Sequence, residues 1–341
     1  MKKQFFVAID GGTSTTRLTL LENGTVKHRI RKPIGAGNTA VTGSVSPLCT
    51  AVREGLSALL SEAGISFDAL AGIGASGMIT SELGLYPLAH IPAPAGREAL
   101  ARGAVSVSLP EICPLPITFI PGVKTIPDMR GIPADGTLFS SDMMRGEETE
   151  VFGLLDGLGL HGPLTVLLPG THNKIIMIDE EDRIASFVTT MSGELNAVCR
   201  EHSILRAAFA EKPLPKTVDE NALLLGYRTA EELGMTAALF KTRILANAYG
   251  CEIGVLSSFL AGVLYQPDIR LLKEKFPSGT VLIGGGEPMR SALACLVRKV
   301  CGTEPVLPPD ALAADAAARG IYGILSRKQG DAAKTDEISA K

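Results

Sequence analysis

Asp10 ends an apolar, β-prone run, Phe5–Ile9, and is followed by Gly11-Gly12, the hydroxyl residues Thr13-Ser14-Thr15-Thr16, and Arg17. Each residue type answers a need of phosphate binding. Gly11 and Gly12 let the backbone approach a ligand closely. The N–H groups and hydroxyls from Gly12 through Thr13, Ser14 and Thr15, with the Arg17 cation, can cradle a phosphate. The Asp10 carboxylate suits a hydrated Mg²⁺ bound to that phosphate. An ordinary glycine-rich hairpin uses the same residues, so this stretch alone does not decide between the two readings.

The pattern occurs twice. A second β-prone run, Thr165–Leu168, meets Pro169-Gly170-Thr171-His172-Asn173-Lys174, again small, hydroxylated and cationic. Gly170, Thr171, His172 and Lys174 are its candidate phosphate contacts. A repeated unit outweighs any local pattern. In both copies the unit is strand, polar loop, strand, turn, strand. The turns are Asn23-Gly24, a strong hairpin signal, and Asp179-Glu180-Glu181-Asp182. Two similar domains, each presenting one loop to the same polyphosphate, follow from the repeat.

Three further stretches carry candidate chemistry. Gly77-Met78-Ile79 leaves the short strand Leu70–Ala75, where ligands of an open α/β sheet sit; a structural turn is the other reading. In Ser141-Asp142-Met143-Met144-Arg145-Gly146-Glu147-Glu148, Ser141 or Asp142 is expected to cap a helix running to about Leu155. Its adjacent carboxylates either satisfy the helix dipole or include a base beside Arg145, whose forked donors match an anionic substrate. Gly284-Gly285-Gly286 lies between the strand Val281–Ile283 and a helix Arg290–Val300. It is either a tight turn or a place where a flat ring such as adenine lies against the backbone.

The elements that position these residues read as an α/β chain. Its 341 residues suit two domains, expected as 1–160 and 161–330, with a linker near Gly157–Pro163 and a disordered tail at 331–341. Arg31–Ser46 reads as a loop. In Pro47–Ala63, Leu48, Val52, Leu56, Leu59 and Leu60 share one helical face. Prolines from Ile91 to Pro133 break long helices. Met191-Ser192-Gly193-Glu194 opens a helix towards Arg200, after which Glu201–Leu205 reads as a loop with a structural His202. Ala222–Leu264 is mostly helical, and Ala311–Leu325 forms an Ala-rich helix.

Composition excludes several partners. The formal net charge of −3 argues against nucleic acid or an anionic membrane as the main partner. No apolar run approaches the roughly 20 residues needed to cross a bilayer. Met1-Lys2-Lys3 runs straight into the Asp10 strand, unlike a signal peptide. The six cysteines are scattered and the five histidines lack ligand spacing, so reduced thiols in a cytoplasmic protein are expected. The sequence leaves a homodimer open.

Taken together, Asp10–Arg17, Gly77-Met78-Ile79, Met144-Arg-Gly-Glu-Glu-Thr149, Leu168-Pro-Gly-Thr-His-Asn-Lys174, Met191-Ser-Gly-Glu-Leu195 and His202-Ser-Ile-Leu205 resemble, in order and over most of the chain, the 2-dehydro-3-deoxygalactonokinase family. That family lies within the sugar kinase, Hsp70 and actin superfamily. The resemblance implies two ribonuclease H-like (actin-like ATPase) domains with a nucleotide cleft between them. It also implies ATP- and Mg²⁺-dependent phosphorylation of the primary (6-) hydroxyl of 2-dehydro-3-deoxy-D-galactonate, in galactonate catabolism. In related kinases a Gly–carboxylate pair opens the last helix of the first domain. Gly146-Glu147 matches it, so Glu147 is expected to be the catalytic base, with Glu148 its rival and Asp142 a weaker third. Arg145, Glu148 and Gly77–Ile79 would hold the sugar acid. This chain departs from the family at Gly11 and Ile175, where tryptophan is common, and at Thr80-Ser81-Glu82, where Gly-Ser-Arg is usual. A kinase for another sugar acid or keto-sugar, and a non-catalytic ATP-binding regulator, are the alternatives.

Overall fold

A computed structural model of the chain describes residues 5–127, 131–209, 213, 215–276 and 279–339. The chain forms two compact units. The first comprises 1–161, 181–186 and 314–341, and the second comprises 162–180 and 187–313.

The first unit opens with β1 (Phe5–Gly11), β2 (Thr16–Glu22) and β3 (Thr25–Lys32), which pair antiparallel in succession. Helices α1 (Ala36–Thr42) and α2 (Ser46–Ala63) follow, then β4 (Leu70–Gly77), parallel to β1. The proline-rich segment gives only short pieces: β5 (Ile91–Pro92), α3 (Arg97–Gly103), β6 (Val105–Val107), β7 (Ile117–Phe119) and β8 (Val123–Lys124). After these come α4 (Asp135–Ser140), β9 (Met143–Met144) and α5 (Glu147–Leu158). The main sheet has the order β3-β2-β1-β4-β7-β6, and a smaller one has the order β5-β8-β9.

β1 is buried on both faces because apolar residues occupy both sides of its pleat. Val7 and Ile9 join Leu18, Leu20 and the predicted α2 stripe of Leu48, Val52, Leu56 and Leu59 in one core. Gly55 lets α2 sit directly on Leu18, where a Cβ would lie 2.7 Å from the leucine. On the other face Phe6 meets Tyr322 edge-on at 5.5 Å.

The second unit repeats the scheme. β10 (Leu164–Leu168), β11 (Asn173–Ile178) and β12 (Ile184–Thr190) lead to α6 (Ser192–His202) and the single turn α7 (Arg206–Phe209). Helices α8 (Glu220–Leu233), α9 (Met235–Asn247) and α10 (Ile253–Lys275) precede β13 (Val281–Ile283) and α11 (Met289–Leu296). The sheet order is β12-β11-β10-β13, and β13 runs parallel to β10 as β4 does to β1. α8 and α10 approach through Gly226 and Gly262, where any Cβ would fall 2.0 Å from a backbone oxygen of the facing helix.

α12 (Asp310–Ser339) ends the described chain. From Ala314 it packs with the first unit. Gly153 of α5 and Gly320 of α12 face the other helix's backbone. α12 runs to Ser339, and the last two residues of the tail 331–341 lie outside the described set.

Three local expectations are corrected. A short helix, α1, lies inside the expected loop 31–46. α6 includes Glu201 and His202. The helix expected from Ser141 or Asp142 begins only at Glu147. Met143 and Met144 pair with β8 instead, and Gly146, at φ +113°, makes the break that starts α5.

Candidate active site

In the first unit the strand ends carry the chemistry. Parallel pairing puts Asp10 beside Ser76 and Gly11 beside Gly77, while the hairpin puts Asp10 opposite Arg17. Arg17 Nη1 donates to Asp10 Oδ2 at 2.7 Å, with Arg17 largely exposed. Gly77 has φ +91°, and a Cβ there would lie 2.7 Å from the Gly11 carbonyl oxygen and 3.5 Å from Asp10 Oδ1. Only glycine brings the two strand ends this close. Ile79 is a core residue beneath Gly11, whose added Cβ would fall 2.5 Å from the Ile79 Cβ. Met78 is half-buried.

The hydroxyl loop is braced from behind. Ala36 N–H donates to Gly12 O and Gly37 N–H to Thr13 O, while Gly12 N–H itself donates to Thr15 O at 2.8 Å. Gly12 thus uses its own amide to close the turn of the loop. Thr13 and Ser14 are the exposed tip. Thr15 Oγ1 accepts a long 3.5 Å contact from Arg31.

α5 begins at the same place. A Cβ on Gly146 would be 3.1 Å from Gly77 Cα, so the first turn of α5 abuts the end of β4. Glu148 is fully buried. Its carboxyl oxygens accept from Gly146 N–H at 2.9 and 2.8 Å, and Ser76 Oγ donates to Oε1 at 3.3 Å. Burial, then the neighbouring Glu147, push its pKa up to about 8 against the pull of these bonds. Glu147 is half-buried, and its Oε2 accepts from Arg145 N–H at 3.1 Å. Asp142 lies at the start of this segment, its backbone N–H held by Thr125 Oγ1 at 2.8 Å.

Arg145 does not present its fork to solvent. Nη1 donates to Thr80 O at 2.7 Å and to Thr80 Oγ1; Nη2 donates to Leu88 O at 2.8 Å and to His90 Nδ1 at 3.2 Å. Burial, then the Arg145 and Lys124 cations, lower His90 to about 4, so the ring is neutral and its Nδ1 accepts. The terminal nitrogens of Arg145, expected to meet the substrate anion, tie the Gly77–Thr80 turn to Leu88 and His90.

The loop of the second unit is built comparably. Gly170 N–H donates to Asn173 Oδ1 at 3.0 Å, and Glu194 N–H of α6 donates to Thr171 O at 2.7 Å. A Cβ on Gly193 would strike the Gly170 oxygen at 1.9 Å, so α6 starts directly against the loop. Thr171 and His172 are exposed, and His172 Nε2 lies 2.7 Å from Glu194 Oε2. Lys174, expected as a phosphate cation, is 5% exposed and donates to Thr189 Oγ1 at 2.8 Å. Strand pairing sets it opposite Leu168 in the sheet.

Gly284 N–H donates to Leu167 O at 2.9 Å, and Gly285, at φ +69°, sits where a Cβ would be 2.8 Å from Pro169. The triple-glycine turn thus lies against the phosphate-type loop of its own unit. Gly286 has open space where a side chain would stand. Beside this turn is a mostly apolar cavity of about 260 Å³, lined among others by Gly193, Arg200, Ser257, Tyr265, Pro288 and Met289.

Sequence reading missed Ser76, His90, Thr190, Ser192 and Asp268. Ser76 carried a weak signal as the last polar residue before Gly77. Asp268 carried none, because a carboxylate inside a long helix ordinarily faces water.

The arrangement is a duplicated α/β fold with a carboxylate at a strand end, two hydroxyl loops and a helix N-terminus carrying two glutamates. Solved structures share the fold. An activator of 2-hydroxyisocaproyl-CoA dehydratase from Clostridium difficile superposes with a TM-score of 0.52 at 12% identity, over 96% of this chain and 98% of that one. A candidate 2-dehydro-3-deoxygalactonokinase from Sinorhizobium meliloti gives 0.73 at 24% identity, over 94% and 97%.

The sequence profile of the 2-keto-3-deoxy-galactonokinase family matches residues 10–324. Probable 2-dehydro-3-deoxygalactonokinase DgoK1 of Rhizobium meliloti (strain 1021) is 30% identical over 288 residues, 83% of this chain and 85% of that protein. The chain belongs to the 2-keto-3-deoxy-galactonokinase family and is a phosphotransferase, a sugar kinase. Among the described residues no helix is long and apolar enough to cross a membrane.

Proposed function

We propose that this chain transfers the γ-phosphate of ATP to the primary (6-) hydroxyl of 2-dehydro-3-deoxy-D-galactonate, as a cytoplasmic step of galactonate breakdown. The observation that carries the reading is the pair of glutamates at the start of α5. Glu148 is sealed and bonded to Gly146 and Ser76, whereas Glu147 remains half-buried beside the ends of β1 and β4. The more accessible carboxylate of the pair is the one placed to accept a hydroxyl proton. Glu147 is therefore the base. Glu148 holds the turn that presents it.

Phosphoryl transfer depends mostly on positioning and charge neutralisation. Thr13 and Ser14 in one unit, and Thr171 and His172 in the other, are the exposed donors for phosphate oxygens. Asp10 fits a hard cation: it is an oxygen donor at a strand end, one oxygen is held by Arg17, and the other faces the side-chain-free Gly77. Bound Mg²⁺ would there offset charge on the phosphates. The cavity beside Gly284–Gly286 suits an apolar, flat base. The Gly77–Thr80 turn, held by Arg145, shapes the sugar-acid site.

The test is ADP release with ATP, Mg²⁺ and a panel of sugar acids containing 2-dehydro-3-deoxygalactonate and its gluconate epimer. Turnover with the galactonate compound in preference to the others is expected. Turnover only with another acid would move the specificity, and the Thr80–Glu82 departure would then be its source. Nucleotide binding without turnover on any acid would overturn the kinase reading.

A further inference from the structure

The phosphate-type loop of the second unit is anchored by a carboxylate that no motif contains. Asp268 lies in the interior of α10 and is 1% exposed. Thr190 Oγ1 donates to its Oδ1; Ser192 Oγ donates to Oδ2 at 2.6 Å, and Asn173 Nδ2 approaches Oδ2 at 3.5 Å. All its partners among the described residues are neutral donors. A buried carboxylate without a cation costs stability unless such donors converge on it, so the arrangement is demanding for the fold. The donors come from the ends of the segments that flank the loop: the start of β11, the end of β12 and the start of α6.

The consequence for the loop follows from the chemistry of an amide. Facing Asp268, Asn173 must turn its NH₂ inward. Its carbonyl oxygen then points to the loop and accepts Gly170 N–H at 3.0 Å. Ser192, fixed by the same carboxylate, sets the start of α6, whose Glu194 N–H holds Thr171 O. Both ends of the Gly170–Thr171 turn are thus referred to one buried group. The same helix also lines the cavity through Ser257, Ala261 and Tyr265. Together with Asp268 these recur at helical spacing on one face of α10.

We propose that Asp268 is a positioning residue for nucleotide phosphate, and that α10 couples the base cavity to the phosphate loop through it. The inference rests on the kinase reading above and deepens it.

The experiment uses the full chain and the variants Asp268→Ala, Asp268→Asn, Ser192→Ala and Thr190→Val. ATP affinity is read by calorimetry, KM for ATP and for the sugar acid are read separately, and amide hydrogen exchange is followed over residues 169–174. Asp268→Ala is expected to weaken ATP binding and raise KM for ATP by about tenfold, the order carried by hydrogen bonds to a charged group. KM for the sugar acid should stay within about twofold, since a positioning defect acts on one substrate. Asp268→Asn should fall between wild type and the Ala variant, and faster exchange should be confined to 169–174. If Asp268→Ala does not fold, the hydroxyl variants keep the carboxylate and should still weaken ATP by about threefold each. Unchanged ATP affinity in the folded variants, or an equal rise in both KM values, overturns the proposal. A wild type that binds ATP without transferring it sinks the kinase reading alone, and the affinity ratios still judge Asp268. A wild type that binds no nucleotide overturns both.

Discussion

The Ser76 hydroxyl donates to the sealed carboxyl of Glu148 at 3.3 Å across a sequence separation of 72 residues, joining the end of β4 to the first turn of α5. The folded carboxyl, at about 8, holds its proton far above the ordinary value of 4.5. Between those values the folded state binds more protons than the unfolded chain. Stability conferred at this site is therefore full below about pH 4.5 and declines as pH rises towards 8. Glu148→Gln, which is neutral at every pH, should unfold at a higher temperature than wild type at pH 8 and close to wild type at pH 4.5. Calorimetric scans across this range measure it, and an unchanged slope in the variant would refute the assignment.

Glu147→Gln keeps the shape and removes the proposed base. The expected result is a drop in kcat of roughly 10²–10⁴-fold, the usual worth of general-base catalysis, with little change in KM for either substrate. Thermal unfolding should barely move, because the side chain is half-buried. Steady-state kinetics beside a melting curve separate this from simple misfolding.

Arg145→Lys tests whether the fork is needed. The guanidinium reaches Thr80, Leu88 and His90 from two nitrogens, a geometry that a single ammonium does not reproduce. The variant should lose about 1–3 kcal/mol of stability from unpaired acceptors. It should raise KM for the sugar acid more than KM for ATP, since the tethered turn is proposed to shape the sugar-acid site. Chemical denaturation and the two KM values give the answer.

Gly77→Ala places a methyl 2.7 Å from the Gly11 oxygen, in a backbone conformation at φ +91°. A cost of about 1–3 kcal/mol is expected from the backbone alone, with the clash adding to it. Activity should fall further than stability, since the displaced backbone carries Asp10 and the loop after it. Comparing kcat/KM with the denaturation midpoint shows which is affected more.

Asp10→Asn removes the charge proposed to hold the cation and leaves Arg17 without its ion-pair partner. The Mg²⁺ concentration for half-maximal rate should rise about tenfold or more, the order lost with a charged ligand. ATP affinity measured without Mg²⁺ should change little. A Mg²⁺ titration of initial rate is the measurement, and an unaltered midpoint would move the cation elsewhere.

Much of the scaffold was legible because its signals are local. Apolar runs ending in Gly-rich, hydroxylated loops gave both copies of the hairpin. The spacing of Leu48, Val52, Leu56 and Leu59 gave α2 and its buried face. Gly146-Glu147-Glu148 marked the helix that carries the candidate base, although its start was read several residues early: strand pairing of Met143 and Met144, a non-local event, outcompeted a local cap. Composition and motif order together sufficed to indicate the family.

Which polar groups remain available for chemistry is a different kind of question, and only the tertiary structure answered it. Arg145 reads as an anion-binding fork, and only the fold shows Thr80, Leu88 and His90 bonded to its nitrogens. Lys174 reads as a phosphate cation, and only the fold shows it buried and bonded to Thr189. Glu147 and Glu148 are chemically identical neighbours; packing seals one against Ser76 and Gly146 and leaves the other half-buried. Asp268 becomes relevant only when β11, β12 and α6 converge on it. A side chain's type fixes the bonds it can make. The distant groups that fill or spare those bonds are brought together by packing, and no local pattern encodes that meeting.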